Sequence, residues 1–226
     1  MSVTSLLAPP VTTLPSSASN QAARIAPAAT GVDAPAPDDL VLWRLSVEQY
    51  HAIVAAGILT DDDPVELLEG LLVDKMPKNP PHSAATQLLQ EALSQILPVG
   101  WRVAVQDPIT LADSEPEPDL IIVRGKARQY VERHPGPGDL AMVVEVSSAT
   151  LRRDQASKKR MYAGANIPVY WIINLVENRI QVYTDPTGPA AKPDYRQQHN
   201  YLISDTIPVV IEGEEVARLP VQELLP

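Results

Sequence analysis

Leu140-Ala141-Met142-Val143-Val144-Glu145-Val146 is apolar at every position but one, and a single carboxylate is set inside it. A nearly continuous apolar run of strand length reads as a central strand covered on both faces. Downstream, Thr150 caps a helix expected over about 151–165, and Ile167 to Asn174 reads as a second buried strand with Ile180 to Tyr183 as its hairpin partner. Strand, helix and strand in that order imply a mixed sheet flanked by helices, an α/β fold.

Upstream, Trp101 to Val105, Ile109 to Ala112 and Leu120 to Val123 are strand-like runs separated by short polar or proline-containing breaks, which predicts an antiparallel meander. Before them, Ser83 to Leu97 has helical periodicity and stops at Pro98-Val99-Gly100. Val65 to Met76 folds into a hairpin about Glu69-Gly70, and Ser46 caps a short helix that ends at Gly57. Gly125 to Asp139 is a polar loop, and the C-terminal stretch holds short β-like pieces such as Val209 to Ile211. Residues 1–39, rich in Ala, Pro, Ser and Thr and almost uncharged, are expected to be a disordered tail ahead of one domain over 40–226.

The chain has 226 residues, 45% of them hydrophobic but only 4% aromatic and none of them Phe, so aliphatic side chains must fill the core. The absence of Cys excludes a disulfide framework, a thiolate nucleophile and Cys-type zinc sites, and fits a cytoplasmic protein. No apolar run approaches the roughly 18–20 residues needed to span a bilayer. A net charge of −10 argues against non-specific binding to nucleic acid by charge alone, yet leaves room for a cation where carboxylates gather. His51, His82, His134 and His199 lack zinc-type spacing, and neither a Gly-x-Ser-x-Gly elbow nor a phosphate-cradling glycine loop is present.

Two acids stand in costly places. Asp119 opens Leu120-Ile121-Ile122-Val123, and Glu145 shares a strand face with Val143 and Ser147. Burying an unpaired carboxylate costs several kcal/mol, so Glu145 requires either an internal salt bridge or a metal ion. For Asp119 alone, ordinary turn chemistry is the plainer reading. On the expected helix after Thr150, Lys158 falls on the apolar stripe with Leu151, Tyr162 and Ala165, while Arg153, Lys159 and Arg160 point away; the plainer role for Lys158 is a surface pair with Asp154. Two carboxylates and an amine are what metal-assisted phosphodiester hydrolysis needs.

These residues lie in a string that resembles the Uma-type restriction endonuclease family of the PD-(D/E)XK nuclease fold. The resemblance runs from about Leu45 to the C-terminus, through Val65-Glu66-Leu67-Leu68-Glu69-Gly70, Pro81-His82, Pro118-Asp119, Val144-Glu145-Val146-Ser147-Ser148 and Asp154-Gln155-Ala156-Ser157-Lys158, and on into Tyr162-Ala163-Gly164-Ala165-Asn166-Ile167-Pro168. It implies a restriction-endonuclease-like sheet with Asp119 and Glu145 as ligands of Mg²⁺ or Mn²⁺. Where the wider pattern has a lysine two residues after the acid, this chain has Ser147, and Lys158 matches the amine supplied from the next helix. Glu66 and His82 fall on further family positions near the pocket. The implied activity is hydrolysis of DNA, with a homodimer as the simplest way to cut both strands. The missing lysine keeps a second class open, a nuclease-derived binding or regulatory protein, and the acidic surface a third, a protein-interaction domain. Arg124, Lys126, Arg128, Arg152 and Arg153 are either phosphate contacts or solvated charges.

Overall fold

The computed structural model describes residues 41–60 and 62–226; the tail expected over 1–39 lies outside the described residues. Their centre is a six-stranded sheet of β3 (Trp101–Val105), β4 (Leu120–Arg124), β5 (Leu140–Ser147), β6 (Val169–Asn174), β7 (Arg179–Pro186) and β8 (Tyr195–Leu202), in that spatial order. Only β5 and β6 are parallel; the other neighbours are antiparallel. The parallel pair is joined by the helical segment expected from the sequence, because parallel neighbours need a crossover. The architecture is the mixed, helix-flanked α/β sheet that the order of apolar runs implies.

Strand alternation sorts the core into two layers. Met142, Val144 and Val146 of β5, with Leu120, Ile122, Trp171 and Ile173, pack under α2 (Pro80–Ile96) and under the hairpin of β9 (Thr206–Ile211) and β10 (Glu214–Pro220). Val143, Ile121, Tyr170 and Ile172 point the other way, against Met161, Tyr162 and Ala163 and against the buried Ile109 and Leu111.

Local signals explain most element ends. Ser46 and Gln49 close a reciprocal capping box on α1 (Val47–Ala55). α2 starts at Pro80, three residues ahead of the expected Ser83, because Asn79 accepts a hydrogen bond from the His82 amide at 3.0 Å and Pro80 and Pro81 fill the first helical positions. Between β1 (Val65–Leu68) and β2 (Leu71–Asp74), Glu69 and Gly70 have φ of 48° and 78°, the turn that suits a two-residue hairpin. A Cβ at Gly70 would stand 2.6 Å from the Arg44 Cβ, so the close approach of residues 44–45 demands glycine there.

One expectation needs correction, and two features go beyond the sequence reading. Ile109 to Ala112 is not a strand: Ile109 and Leu111 are buried, but its amides bond to loop carbonyls of Pro116, Pro135 and Ser114, and the excursion meets β1 through a single Leu67–Glu115 bridge. β8, with the polar sequence Tyr195-Arg196-Gln197-Gln198-His199-Asn200-Tyr201-Leu202, is an exposed edge strand that shows no apolar alternation. The helix expected after Thr150 is present and unbroken, but its winding changes along the way, as α3 (Leu151–Arg153), a π-turn (Asp154–Lys158) and α4 (Lys159–Gly164).

Candidate active site

The two acids meet because of register. Leu120 pairs with Val144 in the antiparallel β4–β5 ladder, and one further step sets Asp119 opposite Glu145. Cross-strand neighbours on one face lie about 5 Å apart at Cβ. There the ladder stops, and the Asp119 side chain takes over: its Oδ2 accepts the Val146 amide at 2.8 Å. The same oxygen faces His82 Nε2 at 3.1 Å. His82 Nδ1 is a buried ring nitrogen with no hydrogen-bond partner among the described residues.

Glu145 is buried under α4. Its Oε1 accepts from Lys158 Nζ at 2.8 Å and from the Tyr162 hydroxyl at 2.7 Å. Lys158 is therefore buried and turned inward, and the surface pair with Asp154 does not form. Asp154 is buried as well, accepting from the Ser147 hydroxyl at 2.6 Å. From the β1–β2 hairpin, the buried Glu66 brings Oε1 to 3.6 Å from both Lys158 Nζ and an Arg153 nitrogen, and Glu66 Oε2 accepts the Glu117 amide at 3.2 Å. Arg153, expected to be solvated, thus lines the cleft.

Crowding of acids sets the electrostatics. Burial pushes the Glu145 carboxyl up to about 8; the Lys158 ammonium works against that rise, and Asp154, Asp119 and Glu66 add to it. Asp154 is raised by burial too, with Lys158 opposing. Burial disfavours the Lys158 ammonium, but Glu145, Glu66 and Asp154 outweigh it and hold its pKa above the ordinary lysine range. The cleft thus pairs a cationic lysine with carboxyl groups held above their ordinary range.

The structure brings all five expected residues, Asp119, Glu145, Lys158, Glu66 and His82, around one cleft of about 70 Å³. Three more polar groups of the cluster escape sequence reading. Asp154 has the right spacing to pair with Lys158 and nothing marks it as buried; Ser147 and Tyr162 look like ordinary strand and stripe residues. Of the basic candidates, Arg124 lies at the far end of β4 from Asp119, about 17 Å away at strand rise, and pairs with Glu212 at 2.6 Å; Lys126 and Arg128 follow it, and Arg152 is exposed.

Among the described residues, no three His, Asp or Glu side chains converge as a ready cage for a metal ion. The donor set still suits a hard divalent cation. Asp119 Oδ1 and Glu145 Oε2 have no hydrogen-bond partner among the described residues. The Val146 carbonyl lies on the same strand edge as its amide, which bonds to Asp119. Two carboxylate oxygens and one carbonyl, with water completing the shell, match the sparse protein ligation that Mg²⁺ accepts.

A crystal structure titled as "a putative nuclease belonging to DUF820 from Anabaena variabilis" resembles this chain over 80% of its length and 97% of the other, at 15% identity and a TM-score of 0.57. At that identity the likeness is one of fold. No curated protein matches the sequence. No helix of the described residues is long and apolar enough to cross a membrane. The family model described as "Putative restriction endonuclease" matches residues 47–222, which takes in every residue of the cleft, and the chain therefore belongs to the Uma2 family.

Proposed function

We propose that the chain is a divalent-metal-dependent endonuclease that hydrolyses phosphodiester bonds in DNA, with Asp119, Glu145 and Lys158 as its catalytic residues and Mg²⁺ or Mn²⁺ as its cofactor. The observation that carries this reading is the placement of Asp119 against Glu145 at the point where the β4–β5 ladder ends, with Lys158 Nζ 2.8 Å from Glu145. Asp119, Glu145 and the Val146 carbonyl would hold the ion. When bound, such an ion polarises a phosphoryl oxygen and acidifies its water.

The chain's own groups have distinct tasks. Lys158, held cationic, donates N–H groups to the attacking water and to the phosphoryl oxygen on which negative charge gathers. The water's oxygen bonds phosphorus as the deoxyribose oxygen leaves, the proton that the water loses passing to solvent and the leaving oxygen taking one from solvent. The Tyr162 hydroxyl and Lys158 share Glu145 Oε1, which fixes the carboxylate and leaves Oε2 facing the cleft. His82 does the same for Asp119 by occupying Oδ2. Glu66 supplies a second counter-charge that keeps the ammonium in place. The homodimer expected for double-strand cutting belongs to this proposal and is read by sedimentation.

Supercoiled plasmid and single-stranded DNA incubated with Mg²⁺, Mn²⁺ or EDTA test the reading, always beside Glu145→Gln prepared identically. Cleavage that requires metal and vanishes in the variant is the expected result. Equal cleavage by both proteins would falsify the assignment. Uptake of Mn²⁺ without cleavage, lost in Asp119→Asn, would instead favour a binding protein built on the same site.

A further inference from the structure

A second and larger cavity opens beside the cleft. It is a groove of about 1090 Å³ between α1 and the loop around Tyr130. The two share a wall, the ion pair of Lys75 and Glu117 at 2.6 Å. At its floor is Glu115, a buried carboxylate on the irregular excursion between β3 and β4. Its Oε2 accepts from His51 Nε2 and from the Thr110 hydroxyl, each at 2.7 Å. Oε1 has no hydrogen-bond partner among the described residues, and Glu115 is among the groove's lining residues. Tyr50 and Tyr130 stand on the two walls.

Charge decides what such a groove can take. Its two basic side chains, Lys75 and Arg133, are already neutralised, by Glu117 at 2.6 Å and Asp139 at 2.7 Å. Backbone-tracking grooves need cations available for phosphates, and this one presents Asp63, Glu115 and Glu132 instead. Carboxylates suit the exocyclic amines of bases, and tyrosine rings suit their faces. The volume of about 1090 Å³ leaves room for more than one base.

We infer that this groove is a subsite for the unpaired bases of the DNA strand next to the scissile phosphate, with Glu115 Oε1 accepting from the amino group of cytosine or adenine and Tyr50 stacking on a base, the Tyr130 ring being already covered by the guanidinium groups of Arg133 and Arg102. The assignment rests on the nuclease reading, and it narrows the substrate to DNA that is single-stranded beside the cut, for which one site suffices and the homodimer is not required. Bases held in a duplex offer neither their faces nor their pairing edges to the side chains of the groove.

Fluorescence anisotropy in EDTA tests it without cleavage, using short deoxycytidine and thymidine homopolymers and a duplex. The wild-type protein should bind the cytidine strand about fivefold or more tightly than the thymidine strand, and the duplex more weakly than either. In Glu115→Gln, the amide oxygen stays with the His51 and Thr110 donors and the NH₂ turns to the groove, so the preference should move toward thymidine. Tyr50→Ala, a change on the half-buried side of α1 that does not touch the core, should weaken both strands about fivefold or more. Equal binding of the two strands by the wild type, or a duplex held as tightly as a single strand, overturns the inference. So does capture of an oligo-arginine peptide with no binding of the cytidine strand. A wild-type protein that cuts DNA without discriminating strands sinks the groove assignment and leaves the nuclease reading standing; discrimination without cutting does the reverse.

Discussion

The two faces of the central sheet are built from alternate residues of the same strands and are opposite in character. Toward α2 and the β9–β10 hairpin, the core is aliphatic apart from Trp171, with Leu89, Leu93, Val144 and Ile207 fully enclosed. Toward α4, four tyrosines join the aliphatic side chains: Tyr162 meets Tyr170 edge-on at 5.0 Å, and Tyr170 stacks with Tyr183 at 5.8 Å. At one end of that face sit Asp119, Glu145, Asp154 and Lys158, all buried. One face secures the fold, and the other carries the cost of enclosed charge, one residue away along each strand. A one-residue slip of register would exchange the two.

The contrast can be broken from either side. The largest loss of stability is expected on the apolar face, where Leu89→Ala should cost about 2–5 kcal/mol in urea unfolding while leaving Mn²⁺ uptake in place. Next comes Lys158→Met, which strips the buried Glu145 of its cation. It should cost about 3 kcal/mol, the low end for breaking a buried pair, because Glu145 can take up a proton instead. The double variant Glu145→Met/Lys158→Met should recover most of that loss; a double mutant as unstable as the sum of the singles would show that the pair is uncoupled.

A smaller effect is expected in pH dependence. With Glu145 raised from 4.5 to about 8 by burial, the folded state holds a proton that the unfolded chain has released. This contribution to stability is complete below about pH 4.5 and is lost as pH rises toward 8. Asp154, also raised, adds a slope of the same sign, whereas the Lys158 contribution is lost only above the ordinary lysine range. In EDTA, the Tm should fall between pH 5 and 8, and Glu145→Gln should flatten that fall without abolishing it. Smallest is Arg160→Ala. The Arg160 guanidinium grips both carboxylate oxygens of Glu69 at 2.7–3.0 Å and ties α4 to the hairpin that carries Glu66. An exposed pair of this kind is worth at most about 1 kcal/mol. The variant should unfold almost like the parent, while amide exchange at Leu67 and Leu72 accelerates.

What could be read from the sequence follows the same division. β5 was legible because burial on both faces leaves a continuous apolar run, and Glu145 because a carboxylate inside such a run has few explanations. Lys158 was legible as a cation on an apolar stripe. Glu66 and His82 rested on family resemblance, and the fold brings both to the cleft. Asp154 and Arg153 were misread as surface charges, since periodicity gives a side chain's direction without revealing what packs there. The Tyr162 hydroxyl was invisible for a related reason: a tyrosine in a core stripe needs no polar role. β8 was missed because an edge strand exposed on both faces leaves no apolar alternation, and Ile109 to Ala112 was overread because buried apolar residues on an irregular backbone look like a strand.

The π-turn at Asp154–Lys158 has a consequence for how this chain tolerates change in length. A π-turn is a helix carrying one residue more than its neighbours, and removing that residue, for example Ala156, costs the fold little while rewinding the segment as ordinary α-helix. Because the π-turn absorbs the extra residue, the α-turns on either side are already in the phase of an uninterrupted helix, and the deletion would leave them so. With α4 anchored by Met161, Tyr162 and Ala163, Lys158 would stay on Glu145, and Asp154 and Arg153 would stay at the cleft. The segment can thus lose one residue and still present its acid and its amine to the same strand end, whereas winding all of its present residues as α-helix would set its two halves about 100° out of phase.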